Sequence, residues 1–488
     1  MRDRVVGAAN GPLRPVEVRV PVQPLARFAE LLDSARYEGW RAEIQSATEA
    51  LRGRVVWHVS STARGGGVAE MMGPLIGYGR DVGVDARWMV IAGTPEFFAL
   101  TKRLHNRLHA DGGDGGSLGT AEQRLYERVL KENAAELAAV VRRGDVVVLH
   151  DPQTAGLARP LRSRGATVVW RCHIGHEDLR HPLVEEGWEF LRPSLEYVHA
   201  TVFSRQAYVP AFCRDGRVAI IRPAIDPFSP KNQEMAPDVV RAILVRCGLV
   251  EGPVDGVVCG FHRDDGSPGR VDRGADILRL GRAPDVETPL IVQVSRWDRL
   301  KDHLGVMRGF ARLDEAEAAG AHLVLAGPSV TGVADDPEGP AVLAELTAAW
   351  RALPHARRHR VQIASLPMVD PGENAAMVNP LQRHAAVIVQ KSLQEGFGLT
   401  VTEAMWKGRP VVASAVGGIV DQIDDGTDGL LLDDPTDLDG LAARLQRLLA
   451  DGAEARRLGE AARERVRAGS LGIRLLADYA RLIGELVA

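Results

Sequence analysis

Two glutamates, Glu395 and Glu403, stand on either side of an apolar stretch in Ser392-Leu393-Gln394-Glu395-Gly396-Phe397-Gly398-Leu399-Thr400-Val401-Thr402-Glu403. Ionised carboxylates only accept hydrogen bonds, which suits them to the vicinal hydroxyls of a sugar or ribose. The glycines mark the expected start of a helix. Such a start presents free N–H groups and the positive end of the helix dipole to an anion or a hydroxyl. Glu395 then lies in the loop before the helix and Glu403 over a turn inside it, close enough to line the same cleft. The plainer alternative is a helix N-terminal glutamate beside an ordinary surface one. The glycines, the preceding strand and the Gly417-Gly418 turn weigh against that alternative.

Three further segments carry chemistry. In Ser60-Ser61-Thr62-Ala63-Arg64-Gly65-Gly66-Gly67-Val68-Ala69-Glu70, a strand ends, three glycines follow and a helical pattern begins. Backbone N–H groups there can face an anion, and missing Cβ atoms permit close approach, although a tight strand-to-helix turn with no ligand has the same signature. The segment is neither a Walker A loop nor a dinucleotide fingerprint, because no Gly-Lys-Ser/Thr follows and Glu70 stands where a third small residue belongs.

The second is a pair of strand ends, His150-Asp151-Pro152-Gln153 and Arg171-Cys172-His173-Ile174. Ligands of parallel sheets collect at the carboxyl ends of strands, where Asp151 and His173 can bind hydroxyls or assist developing charge. Either residue alone reads equally as a cap or loop anchor. The third is Val294-Ser295-Arg296-Trp297-Asp298-Arg299-Leu300-Lys301. Arg296 and Lys301 bring positive charge suited to a diphosphate, and Arg299 is the weaker candidate, expected to face water; a solvated basic loop is the alternative.

The elements that must position these residues follow from length and pattern. At 488 residues the chain exceeds the length at which one core stops growing, about 250–300 residues, so two domains are expected. Composition is that of a globular protein, with 45% apolar and 25% charged residues. A formal charge of −4 and only 5% aromatics argue against nucleic acid and anionic membrane as partners. No run approaches the roughly 20 apolar residues of a membrane span. The N-terminus carries charges and prolines where a signal peptide needs an apolar core. Cys172, Cys213, Cys247 and Cys259 lie far apart without a C-x-x-C pair, which argues against a zinc site or disulfide framework. A reduced, cytoplasmic protein is expected.

Apolar, β-branched runs at 54–59, 145–150, 167–170, 218–221, 290–294, 322–325 and 386–389 lack in/out alternation, as strands buried on both faces do. Helical patterns such as 302–318, 340–352 and 437–450 alternate with them, giving an α/β, doubly wound architecture with strands enough for two sheets. The proline-rich stretch 223–230 marks the boundary. The expected division is 1–228, 229–470 and a C-terminal helix at 471–488. Residues 251–289, rich in Gly, Asp and Arg, read as a surface insertion, and Asp111–Gly116 as a flexible loop.

The segment from Glu395 to Glu403 resembles the E-x7-E signature of retaining glycosyltransferases of family 4, which have the two-domain GT-B fold. Within that family GGGVAEMM, HDPQ, WRCHI, VSRWDRLKD and EGFGLTVTEAMWKGRPV look like segments of the trehalose glycosyltransferring synthases. The similarity spans roughly residues 50 to 485; residues 1–20 and 251–289 fall outside it. It implies two Rossmann-like domains facing a cleft, with a C-terminal helix that can cross back to the first. It implies an enzyme that moves glucose from a nucleotide-diphosphate glucose to free glucose, forming α,α-trehalose.

Residue by residue, the resemblance gives Arg296 and Lys301 to the diphosphate and Glu403 to the ribose hydroxyls. Glu395 goes to the transferred sugar, with Phe397, Gly398, Leu399 and Thr400 beside it. Gly65, Gly66 and Gly67 approach the donor from the first domain, and His173 the reacting carbon. Asp151, Gln153 and Arg171 handle the acceptor. Neither cofactor nor metal is implied, the Asp437-x-Asp439 pair lying away from these segments, and a homodimer is compatible with it. Same-face attack, with the departing phosphate oxygen taking the acceptor proton, is the mechanism implied. A family 4 transferase with another acceptor (sucrose- or glycogen-synthase-like) and a sugar phosphorylase of the same fold remain open. Nothing in the residues separates UDP, ADP and GDP.

Overall fold

The computed structural model describes residues 13–63, 66–254, 256–330 and 338–488. The chain divides into two compact units, one of residues up to 224 together with 470–488, the other of 225–469.

The first unit is built on seven strands: β1 (Val16–Val18), β2 (Val55–Ser60), β3 (Asp85–Val90), β4 (Val146–His150), β5 (Thr167–Arg171), β6 (Ala200–Phe203) and β7 (Val218–Ile220). Their order is β1-β3-β2-β4-β5-β6-β7. Helices α1 (Ser34–Ala50), α2 (Gly66–Asp81), α3 (Pro95–Leu108), α4 (Thr120–Val140), α5 (Ala158–Ser163) and α6 (Pro182–Leu195) connect or cover them. Every residue of β2 and β4 is buried, which explains their unbroken apolar runs: helices cover both faces. Val147, Leu149, Val168 and Trp170 pack with Phe97, Leu104, Tyr126 and Trp188 in the core under the site-bearing strand ends.

In the second unit a hairpin of β8 (Gly260–His262) and β9 (Pro268–Arg270) stands beside a seven-stranded sheet. The sheet strands are β10 (Asp276–Leu278), β11 (Leu290–Val294), β12 (His322–Pro328), β13 (Val361–Leu366), β14 (Val387–Gln390), β15 (Val411–Ser414) and β16 (Leu430–Leu432). They run in the order β10-β13-β12-β11-β14-β15-β16. The helices are α7 (Pro237–Arg246), α8 (His303–Phe310), α9 (Gly339–Ala352), α10 (His355–Arg358), α11 (Pro371–His384), α12 (Leu399–Trp406), α13 (Leu438–Ala450) and α14 (Gly452–Gly469). The last helix, α15 (Gly472–Val487), belongs to the first unit and packs on α1 and α2. Its apolar face buries Leu475, Leu476, Tyr479, Leu482 and Ile483, and Arg474 donates to the carbonyls of Arg222 (2.7 Å) and Pro223 (3.0 Å).

The structure keeps the expected doubly wound architecture, adds detail to it and shortens one expected helix. Both sheets are mixed: β1 pairs antiparallel with β3, and β10 antiparallel with β13. The stretch 251–289 lies in the second unit, mostly at its surface, and charged residues tie it to α11. Arg263 holds Asp370 (2.6 Å), and Glu373, buried on α11, accepts from the N–H groups of Asp272 and Arg273 (both 2.8 Å). The helix expected over 302–318 stops at Phe310. The loop at 111–116 is anchored by Arg103 on Asp114 (2.7 Å) and by Arg107 on the carbonyls of Gly112 (2.7 Å) and Gly116 (3.0 Å). The four cysteines are buried as free thiols, and among the described residues no helix is long and apolar enough to cross a membrane.

Candidate active site

In the second unit the loop after β11 is cross-linked by hydrogen bonds. Gln293 donates to the Lys301 carbonyl (2.7 Å), Asp298 accepts from the Leu300 N–H (2.8 Å), and Ser295 Oγ meets His303 Nε2 (3.0 Å). Asp302, at φ 48°, caps α8 by accepting from the Gly305 N–H (2.9 Å), and fully buried Lys391 pairs with its carboxylate. This scaffold directs Lys301 onto Glu395: Nζ lies 2.7 Å from Oε2, and Ser392 Oγ donates to the same oxygen at 3.1 Å. Sequence reading gave these two residues separate ligands; the structure joins them. Arg296 is 46% exposed and 3.3 Å from Asp298, so its guanidinium reaches solvent. Arg299 sits at the surface, paired with Glu345 at 2.9 Å.

Gly398 takes φ 89° at the start of α12, a cap residue with no side chain to offer the helix. That leaves the first turn's amides without the usual side-chain acceptor. The glycine patch is also a close approach: Gly418 N–H donates to the Gly396 carbonyl (3.2 Å), and a Cβ on Gly418 would come within 2.6 Å of Phe397 Cα. The Thr400 hydroxyl donates to Gln390 Oε1 (3.1 Å), a bond inside the protein. Glu403 lies deeper than expected, only 3% exposed, with Oε1 3.3 Å from Lys231 Nζ. Lys407 donates to the Glu403 carbonyl (3.2 Å) and to Asn232 Oδ1 (2.9 Å). Burial pulls Lys407 down to about 7 against the opposing pull of Glu403.

In the first unit Gly66 opens α2 at φ 76° with nothing within 4 Å of an added Cβ, so it serves the backbone turn rather than a crowded contact. Gly67 follows it in the helix. Gly65 lies outside the described residues.

Asp151 has φ 63° and ψ 174°, a region that only glycine visits readily and that marks strain held by its surroundings. Its N–H donates to the Arg171 carbonyl (2.8 Å), its carbonyl accepts from Trp170 Nε1 (3.0 Å), and its carboxylate accepts from the His173 N–H (2.8 Å). Burial pushes the carboxyl up to about 7, against the His173 N–H and the nearby Arg171. Gln153 Oε1 is buried without a protein partner among the described residues.

Arg171 requires a correction. Its side chain is fully buried and donates to the carbonyls of Phe203 (3.3 Å) and Ile221 (2.6 Å) and to Ser204 Oγ (3.1 Å). Its fork ties neighbouring strand ends together instead of presenting donors to an acceptor.

His173 Nε2 lies 2.9 Å from His150 Nδ1, and its own Nδ1 is buried without a partner among the described residues. Burial, with Arg171 close by, holds His150 and His173 well below the usual imidazole range, so both are neutral. Lys231, Lys391 and His58 (a neighbour of His150) escaped the sequence reading. Each sits in a stretch with no local signal, and each partner is distant in the chain.

Chemically, the second unit combines cations, a carboxylate and a bare helix start, a set that meets phosphates and hydroxyls. The first offers a neutral imidazole, a carboxyl poised near neutrality and an amide oxygen, a set that reads hydroxyls. Asp437 caps α13 through the Gly440 N–H (2.8 Å) and Asp439 pairs with Arg312. Among the described residues no group of three or more His, Cys, Asp or Glu is placed to hold a metal ion.

Comparison with known proteins places these units. Residues 58–210 match the family model "Trehalose synthase, N-terminal domain", and residues 279–465 match "Glycosyl transferases group 1". The chain is 34% identical over 452 residues to the trehalose synthase of Rubrobacter xylanophilus, covering 91% of this chain and 94% of that protein. It is 27% identical over 459 residues to the trehalose phosphorylase of Pleurotus sajor-caju, covering 88% of this chain and 57% of that one. In structure it resembles an α,α-trehalose-phosphate synthase (UDP-forming) from Burkholderia xenovorans in complex with glucose-6-phosphate. That likeness has a TM-score of 0.64 at 17% identity, covering 89% of this chain and all of that one, and shows a shared GT-B fold.

Proposed function

We propose that this chain, which belongs to the trehalose synthase family of glycosyltransferases, moves glucose from a nucleotide-diphosphate glucose to free glucose with retention, forming α,α-trehalose. The observation that carries the reading is the Lys301–Glu395 pair set against the uncapped, glycine-started helix α12. Lys301 and the exposed Arg296 supply charge for a diphosphate, and the amides of Phe397 to Leu399 supply directional donors without a metal. Glu395 accepts from hydroxyls of the transferred sugar, and Glu403 from the ribose. Asp151 and Gln153 orient the acceptor, and His173 meets the sugar through Nδ1.

Glu395 is engaged by a lysine and a serine hydroxyl, which favours a ligand-holding role over a free nucleophile. Attack on the leaving face, with the departing phosphate oxygen taking the acceptor proton, balances without a covalent intermediate. The phosphorylase alternative replaces the nucleotide with inorganic phosphate; a carboxylate kept for ribose argues against it. A donor-by-acceptor screen with product linkage assigned by NMR tests the reading. An α,α-1,1 disaccharide from nucleotide-diphosphate glucose and glucose is expected; release of free glucose alone contradicts it.

A further inference from the structure

Three imidazoles stand in a row through the first unit. His58 Nδ1 lies 3.1 Å from His150 Nε2, and His150 Nδ1 lies 2.9 Å from His173 Nε2. The rings stack, with centroids 5.4 and 5.3 Å apart. The sheet sets this spacing: β2 supplies His58, β4 ends on His150, and His173 follows β5 by two residues, with β2 paired to β4 and β4 to β5. Tyr479 of α15 closes the His58 end, its ring edge-on at 6.2 Å. The Asp151 carboxylate holds the His173 backbone at the other end.

A neutral imidazole has one N–H and one lone pair. Two hydrogen bonds in series therefore force every proton in the row to point the same way. With the His58 proton on Nδ1, His58 donates to His150, His150 donates to His173 Nε2, and His173 must carry its proton on Nδ1. With the His58 proton on Nε2 the row reverses, and His173 Nδ1 becomes a lone pair. An imidazolium would break this order, and burial opposes one at each position, with His58 held down at about 3.

We infer that His58 and His150 are positioning residues for His173: the row fixes its ring and makes its tautomer follow theirs, so that the polarity Nδ1 offers a ligand hydroxyl is set through the row and not by His173 alone. The inference rests on the reading that His173 contacts sugar. The row itself is independent of that reading.

The test is 15N NMR of histidine-labelled protein with steady-state kinetics. The parent should show His58, His150 and His173 as neutral imidazoles whose tautomers point the same way along the row. His58→Leu removes the far end of the row, so the tautomer populations of His150 and His173 should shift together. Turnover should drop about three- to ten-fold, the effect of one orienting neutral hydrogen bond, with the donor KM kept within about two-fold. His58→Asn, whose side-chain amide can stand in for Nδ1, should restore both readouts. Tautomers that do not match along the row, or an imidazolium at His173, in the parent would overturn the inference even if His58→Leu did not fold. So would an unchanged His173 spectrum, or unchanged turnover, in His58→Leu. Because the spectrum needs no substrate, a failure of the glucose-transfer reading would appear in the activity arm alone.

Discussion

Lys301 Nζ lies 2.7 Å from Glu395 Oε2, across 94 residues of chain, with the two side chains only 16% and 11% exposed. A cation and an anion that read separately as a phosphate ligand and a sugar ligand are thus one unit. Removing either leaves its partner largely desolvated and without its opposite charge.

The pair should behave as a coupled one. Lys301→Met and Glu395→Gln should each weaken nucleotide-diphosphate binding and lower stability, while the double variant loses less than the sum. A double-mutant cycle should return a coupling of about 1–3 kcal/mol. Strictly additive effects in denaturant unfolding and calorimetry would mean the pair is not formed in solution.

Glu403 is 3% exposed and faces Lys231 at 3.3 Å. Glu403→Gln keeps the shape and removes the charge, weakening up to two charge-assisted bonds of about 1.5–3 kcal/mol each. Affinity for nucleotide diphosphate should fall at least about ten-fold, with the acceptor constant nearly unchanged. Calorimetry with UDP, ADP and GDP decides it; parent-like affinity for all three would remove the ribose assignment.

Asp151 gives a pH signature. Its folded value of about 7 lies above the ordinary carboxylate value of 3.8. Between those values the native state holds a proton that the unfolded chain has released, so stability falls as pH rises through that window. Asp151→Asn keeps an acceptor for the His173 N–H and removes the titration. Its stability relative to the parent should grow from pH 4.5 to 8, while acceptor use is impaired. A difference that stays flat with pH in chemical denaturation would show that the carboxyl is not raised.

Gly398 is left-handed at φ 89°, and an added Cβ would sit 3.2 Å from both Glu395 Cγ and Ile419 Cγ1. Gly398→Ala should therefore cost about 1–2 kcal/mol in backbone strain and shift Glu395. Turnover should fall more than the donor affinity does. Parent-like turnover with unchanged stability would show that the glycine is dispensable.

Much of this was legible in the chain. The runs at 54–59, 145–150 and 290–294 became β2, β4 and β11, because strands buried on both faces must be apolar throughout. The edge strands β1 and β10 were not legible. They are three residues long, partly exposed, and defined by pairing with Trp88–Val90 and Ile363–Ser365 rather than by their own pattern. Candidate site residues that stand beside a glycine or a strand end, such as Glu395 and Asp151, could be picked out from the chain. His58 did not, because in Val55-Val56-Trp57-His58-Val59 a buried histidine looks like one more core residue. Arg171 misled for the opposite reason: its strand-end position suggested a ligand, but its guanidinium turns inward to carbonyls that strand pairing leaves open.

The proposed transfer of glucose from a nucleotide-diphosphate glucose to free glucose can be followed by supplying 13C-labelled glucose with UDP-, ADP- or GDP-glucose in one set of reactions and with glucose 1-phosphate in another. Product linkage and the released leaving group are then followed by NMR. The expected result is α,α-trehalose labelled in one ring, with one nucleotide diphosphate released per disaccharide, and no product from glucose 1-phosphate. Trehalose formed from glucose 1-phosphate but from none of the nucleotide sugars would contradict it.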